Sequence, residues 1–509
     1  MQPHLPRGIR VEEGARQQAI KGVEIRPTAF LGACQRGPLN VPTPIDDYQT
    51  FTRLFGDPSE ELTLPYALRL FFSNGGRQAL VVRVALDALP AALALPAGEA
   101  NLLLWSKNPG AHDYLRAAVD YDGIDALDGD CFNLTLQRLA VPDTEQVIDQ
   151  EIFRYVSVAP DHPHYLPHVL AGSGLMRCDT QVSPQRPDAT LNHSTGKAQY
   201  FQGLTHPGRD GNRLTMATVL GSSETRTGLF ALTEQYEFGQ LYIPPLDFDT
   251  DVAVPVLRAA ARVCDRRHAL LIADAPRAWR DAATALDAVE RFSLRGPCVA
   301  LYYPWLESID GVETQRKTMP PGGAVAGLLE RSIRAKGPAA TPAGNQMLLR
   351  GFRKFAETLN ERDSFELAEK GVNTLRYAKG GRKVVWDAVL LNGNDHGVHT
   401  SIKVRRVLQY LSCSIERGLQ WVANEAHSDH LWRRVTLQVG EFLTECMHLG
   451  MLAGNTPDNA FEVHCDLNTN PAARRQRGEL GIRLELAPLL PSRFISLNIV
   501  VPVARNESG

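Results

Sequence analysis

The chain has 509 residues, 44% of them apolar and 22% charged, with 41 Gly and 33 Pro. That length holds roughly three or four domains, and the composition excludes collagen, long disordered tails and disulfide-dense toxins. A formal net charge of −3 leaves no whole-chain field to hold nucleic acid or an anionic membrane, so neither a nucleic-acid partner nor direct membrane insertion is expected.

In chain order, residues 1–26 form an arm with scattered Ile, Leu and Val that cannot bury a face of its own. Residues 27–85 read as a compact unit. It has a strand at TAFLGA, helices over DDYQTFTRLFG and LPYALRLFFSNGG, and a strand at ALVVRVA, with Gly75 and Gly76 closing the second helix. Residues 86–231 read as a β-rich insertion with strands such as DCFNLTLQRL and RYVSVAP. Within it, 176–228, rich in Thr, Ser, Gly and Asn, reads as an exposed loop.

From 232 to 349 apolar strands alternate with helices: GQLYIPP, VAVPVLRAAARVCDRR, ALLIAD, RAWRDAATALDAVERF and CVALYYPWL, the pattern of buried parallel strands. Residues 350–491 predict a helix near GFRKFAETLN, strands near VNTLRY and VVWDAVLL, and two long amphipathic helices. The first of these carries Val404, Val407, Leu408, Leu411 and Ile415 on one stripe. The second, over about 429–449, carries Trp432, Val435, Val439, Phe442, Leu443 and Cys446. Residues 492–509 end the chain with the strand ISLNIVV. The fold class is α/β mixed and multidomain.

Chemistry is harder to find. Eight Cys lie far apart with no CxxC, which gives neither zinc spacing nor a disulfide framework and predicts reduced, buried thiols. The start MQPHLPRGIRVEEGARQQ lacks the apolar run of a signal peptide, so assembly in a cytoplasm is expected. Asp247 and Asp274 follow apolar strands, where α/β sheets bind ligands, with Asp249 and Asp251 close by in sequence; an α/β metal-dependent hydrolase is the alternative reading they offer, but no glycine-rich phosphate loop accompanies them and a capping role competes. His162, His164 and His168, and His427 and His430 around Asp429, lack the HExxH spacing. Gly172-Ser173-Gly174 is not a GxSxG elbow. Two basic groups, Arg474, Arg475 and Arg477, and Lys403, Arg405 and Arg406, have no interleaved aromatics and read as solvated faces. No catalytic residue, metal or cofactor is expected.

Several segments together resemble the contractile tail sheath family of phage tails, tailocins and phage-like injection systems. They are PTAFLGACQRGPLNVPTPIDDYQTFTRLFG with LPYALRLFFSNGGRQALVVRV, then LLIAD, ALYYPWL and MPPGGAVAGLLERSIRAKGPAATPAGN. GVNTLRYAKGGRKVVWDAVLL and KVRRVLQYLSCSIERGLQWVANEAH complete the set. The resemblance covers about residues 1–85 and 232–505. It implies an inner domain built from both chain ends (27–85 and 350–491), with outer domains inserted between them. It implies a helical homo-oligomer, with sheath paralogues as possible co-members, around an inner tube protein, ending at baseplate and terminal cap proteins. It also implies terminal arms that add strands to neighbouring subunits, which the residues place at Ile9 and Val11 and at Phe494, Ile495, Leu497, Ile499 and Val500. The basic face of Lys403, Arg405 and Arg406 is the expected tube contact.

Overall fold

The computed structural model describes residues 19–59, 61–142, 144–182, 184–190, 200–233, 235–309, 316–391 and 401–504. It separates into two compact units. The larger comprises residues 26–335 and 341–395; the smaller comprises the segment ending at Ile25, Lys336–Ala340 and the chain from His396 onward.

The larger unit is organised by one eight-stranded sheet. Its strands lie in the order Arg382–Val385, Val372–Ala378, Val299–Tyr303, Leu270–Asp274, Gln240–Tyr242, Thr28–Gly32, Ala79–Arg83 and Thr43–Ile45. The six inner strands are parallel and the two marginal ones antiparallel. Thr28–Gly32, Ala79–Arg83 and Val299–Tyr303 are buried along their full length, which is why they read as continuous apolar runs without alternation. Val256, Ala260, Val263 and Cys264 of the helix Val254–Arg266 pack into this core with Leu271, Val299 and Leu301.

This arrangement differs from the expected partition. Residues 27–85 share a sheet with 240–303 and with 372–385, so no boundary falls between an inner part ending at 85 and a separate 232–349 domain. The strand Thr28–Gly32 joins both halves, bonded to Ala79–Arg83 on one side and Gln240–Tyr242 on the other.

The insertion is β-rich as read. Pro90–Ala97, Ala100–Pro109 and Met176–Cys178 form one sheet. Gln202–Gly203, Leu115–Asp120, Cys131–Leu139 and Val147–Ser157 form another, and Leu93, Leu104, Phe132 and Leu134 are in their shared core. The segment 176–228 is less free than its composition suggested. Asn212, Arg209 and His206 bridge back to Leu86, Leu89 and Ala92, so this chain lies along the first sheet.

The helix expected near GFRKFAETLN does not form. Residues 350–359 hold a positive-φ Gly351 and a two-residue strand, Lys354–Phe355. The helix starts at Glu361, where Asn360 and Asp363 cap each other's backbone N–H groups.

In the smaller unit the helices Ile402–Gly418 and Asp429–His448 cover a three-stranded antiparallel sheet of Phe461–His464, Glu479–Leu486 and Ile495–Pro502. Both helical stripes enter its core: Val404, Val407, Leu411, Ile415, Trp432, Val435, Val439, Phe442, Leu443 and Cys446 are buried, and Leu408 is partly so.

Candidate assembly surfaces

The C-terminal strand alternates strictly. Ile495, Leu497, Ile499 and Val501 face the core, while Ser496, Asn498 and Val500 are exposed, the period-2 pattern of a half-buried strand. Phe494 is half-buried just ahead of it. Within its own chain the strand is already paired on one side. It pairs antiparallel with Glu479–Leu486 at all eight positions, from Leu486 opposite Ile495 to Glu479 opposite Pro502. It is the edge of its sheet: among the described residues no strand pairs its other side, although the short helix Gln420–Asn424 lies close to it and Ala426 bridges Ala504 beyond the strand end. A row of backbone N–H and C=O groups along one side of an eight-residue strand is a template for another strand.

Ile9 and Val11 lie outside the described residues. The described part of the N-terminal segment is tied down more firmly than its composition predicts. Ile20 is buried against Gly418, where an added Cβ would collide with the Ile20 side chain, and the Val23 N–H donates to Ser414 Oγ at 3.0 Å.

The basic triplet splits. Lys403 and Arg405 are half-buried, but Arg406 is 3% exposed and its Nη1 donates to the Ala340 carbonyl at 3.3 Å. Four residues separate it from Ile402, and at about 100° per residue that places it on the buried face. Arg406 is therefore not available as a surface contact. In the other basic group, Arg474 donates to the Thr469 carbonyl at 2.9 Å and Arg477 forms a fork with Glu479.

The acidic residues considered for catalysis serve turns and caps. Asp274 ends its strand half-buried. It accepts Tyr242 Oη–H at 2.6 Å and the Gly322 N–H at 2.8 Å, at the start of the helix Gly322–Lys336. Burial pushes its carboxyl up to about 7 against those two bonds, with Asp251 adding to the rise. Asp247 accepts the Asp249 N–H at 3.0 Å and pairs with an exposed Arg213, and Asp251 accepts the Arg277 N–H at 3.0 Å. Ser173 Oγ donates to Glu151 at 2.5 Å and accepts the Leu175 and Met176 N–H groups, which makes it a loop staple. His162 and His164 stack edge to face at 5.8 Å, and His168 meets the Tyr165 ring at 5.3 Å. Among the described residues no group of three His, Cys, Asp or Glu side chains could hold a metal ion. All eight Cys are free, and burial pushes the Cys34, Cys446 and Cys465 thiols up to about 12, away from the thiolate that nucleophilic chemistry needs.

Two features escaped the sequence reading. The partner strand Glu479–Leu486 carries the signal that could have found it, apolar Leu480, Ile482, Leu484 and Leu486 alternating with Glu479, Arg483 and Glu485. The helix Gly322–Lys336 lies in backbone contact with the helix Thr63–Ser73. A Cβ on Gly323 would overlap the Ala67 carbonyl and one on Gly327 that of Phe71, so the glycines of PPGGAVAG are there for close helix approach.

No family model and no curated protein matches this sequence. Solved structures match nearly all of it. The sheath tail protein Lin1278 of Listeria innocua superposes with a TM-score of 0.64 at 12% identity, over 95% of this chain and 96% of that one. The anti-feeding prophage helical sheath in its contracted state gives 0.54 at 18% identity, over 97% and 99%. The PVC sheath complex of an extracellular contractile injection system, also contracted, gives 0.54 at 14% identity, over 98% of both chains. The chain thus has the fold of contractile tail sheath proteins. At that coverage the likeness takes in the β-rich insertion as well as the segments on either side of it.

Proposed function

We propose that this chain is a structural sheath subunit of a contractile phage-tail-like particle. Many copies polymerise around a rigid inner tube in a metastable extended state. They then collapse to a shorter, wider helix that drives the tube through a target envelope. The observation that carries this reading is the likeness, over at least 95% of the chain, to sheath proteins that include two contracted assemblies. The stored energy is a difference between two packings of the same subunits, so the reading requires no nucleotide, metal or catalytic residue.

In this reading the outer side of Ile495–Pro502 accepts a strand from a neighbouring copy, and the segment holding Ile9 and Val11 reaches out to supply one. Repeated contacts of this heterologous kind build an open helix. Lys403 and Arg405, without Arg406, are the basic groups that face the tube. Exposed ion pairs are worth only about 0–1 kcal/mol each, yet repetition over many copies makes a weak, breakable contact sufficient. Baseplate and terminal cap proteins end the polymer, which assembles in the host cytoplasm.

Electron microscopy of the chain co-expressed with its tube protein tests the reading. Long tubes and a second, shorter and wider state are expected; compact uniform particles, or tubes of a single pitch, would overturn it. Removing residues 1–18, which spares the Ile20 anchor, should leave a folded monomer with unchanged circular dichroism that forms no tubes. Reversing the charges of Lys403 and Arg405 should reduce extended sheath while sparing contracted sheath.

A further inference from the structure

We propose that His427 is a pH-sensitive latch in the smaller unit. Its neutral ring holds the Ala426–Ala504 joint beyond the end of the open edge strand, and its protonation releases that joint.

His427 is 9% exposed, and Trp432 Nε1–H donates to its Nδ1 at 3.3 Å. That bond needs a lone pair on Nδ1, so the ring proton sits on Nε2, a buried nitrogen with no hydrogen-bond partner among the described residues. Trp432 belongs to the first turn of the helix Asp429–His448. The ring therefore ties the loop before the helix, which carries Glu425 and Ala426, to the helix start. One residue away, Ala426 bridges Ala504, whose N–H donates to the Glu425 carbonyl at 3.0 Å.

A second ring proton can go only to Nδ1. There it sets two N–H donors against each other and leaves the Trp432 indole without its acceptor in a buried place. The surrounding charges offer no relief. Arg475, from the short helix Ala472–Gln476, repels the added charge. The Glu479 carboxylate is forked by Arg477, and Glu425 pairs with Arg434 at 3.3 Å. Asp429 follows two residues on, in the first helical turn. Burial, helped by Arg475, holds the ring below the usual histidine range. The folded chain therefore binds fewer protons here than the unfolded one, and the joint is held near neutrality and weakens as pH falls below about 6.5.

The consequence for assembly, that acid changes how the edge strand is presented, rests on the sheath reading. The test does not, because it uses the single chain. Amide hydrogen exchange would be measured at about pH 7.5 and about pH 5, with protection factors corrected for intrinsic rates. The Ala504 amide should lose about ten-fold or more of its protection relative to the core amide of Ile482. In His427→Gln the side-chain carbonyl can accept Trp432 N–H without titrating, so protection should become independent of pH. Nitrogen NMR of the wild-type ring should find the proton on Nε2 at neutral pH. The proposal is overturned by the Nδ1–H tautomer, by Ala504 tracking Ile482 across the range, or by equal loss in His427→Gln. If His427→Gln does not fold, the two wild-type measurements decide.

Discussion

The two units treat the margins of their sheets in opposite ways. The eight-stranded sheet ends in antiparallel strands of three and four residues, Thr43–Ile45 and Arg382–Val385, too short to template much pairing. The three-stranded sheet ends in eight regular residues, Ile495–Pro502, whose core-facing side is fully apolar and whose outer backbone has no strand beside it among the described residues. Short edges protect a sheet from association, and a long flat edge invites it. One chain thus combines a self-contained body with a unit suited to joining others, and this contrast, more than any pocket or polar cluster, matches a sheath role.

The largest expected effect separates the two sides of the edge strand. Ile499 is 1% exposed and Val500 48% exposed, in adjacent positions. Ile499→Ala should cost about 2–5 kcal/mol, as a cavity in a core that cannot fully collapse. Val500→Ala should stay within about 0.5 kcal/mol in the free chain. Urea denaturation of both variants measures this. Equal costs would mean that the strand is covered on both faces.

The next effect compares the units through their helical glycines. A Cβ on Gly327 would strike the Phe71 carbonyl of the neighbouring helix, and one on Gly440 would meet nothing within 4 Å. Gly327→Ala should therefore destabilise by about 1–3 kcal/mol through forced backbone separation. Gly440→Ala should stabilise by about 0.5–1 kcal/mol, because alanine loses less backbone freedom in a helix. Melting curves showing the same sign for both would break the claim that Gly327 serves the close approach of the two helices.

These residues also show what the sequence made legible. Continuous apolar runs disclosed the parallel strands, since burial on both faces erases alternation, and the 3.6-residue stripes disclosed both long helices with nearly every core residue. The failures were non-local. Nothing near Thr28–Gly32 says that its second neighbour lies more than 200 residues on, at Gln240–Tyr242, and this moved the domain boundary. Arg406 reads as surface because arginine normally is, and the chain folding back at Ala340 supplies a carbonyl that helps it stay buried. Ile20 looked like part of a coreless arm because its partners, around Gly418, lie almost 400 residues away. The candidate surfaces were legible as strand and basic face, but which side of each is open was not.

The last comparison concerns acid–base behaviour inside the larger unit, and it runs opposite in sign to that of His427. Asp274 bonds Tyr242 and the first N–H of the helix Gly322–Lys336, with no basic side chain in an ion pair to it among the described residues. Burial raises its carboxyl from the ordinary 3.8 to about 7. The folded chain therefore holds a proton here that the unfolded chain releases, so this group contributes most stability at low pH. That contribution falls as pH rises through the interval from about 4 to 7. Asp274→Asn keeps the shape and an acceptor oxygen but cannot titrate, so its stability should lose this downward slope and exceed the wild type's above neutrality. Urea midpoints taken across that interval make the comparison. If the slope persists in Asp274→Asn, another group sets it; if the variant is the weaker protein at every pH, the helix start needs the full carboxylate and its cap outweighs the cost of burying charge.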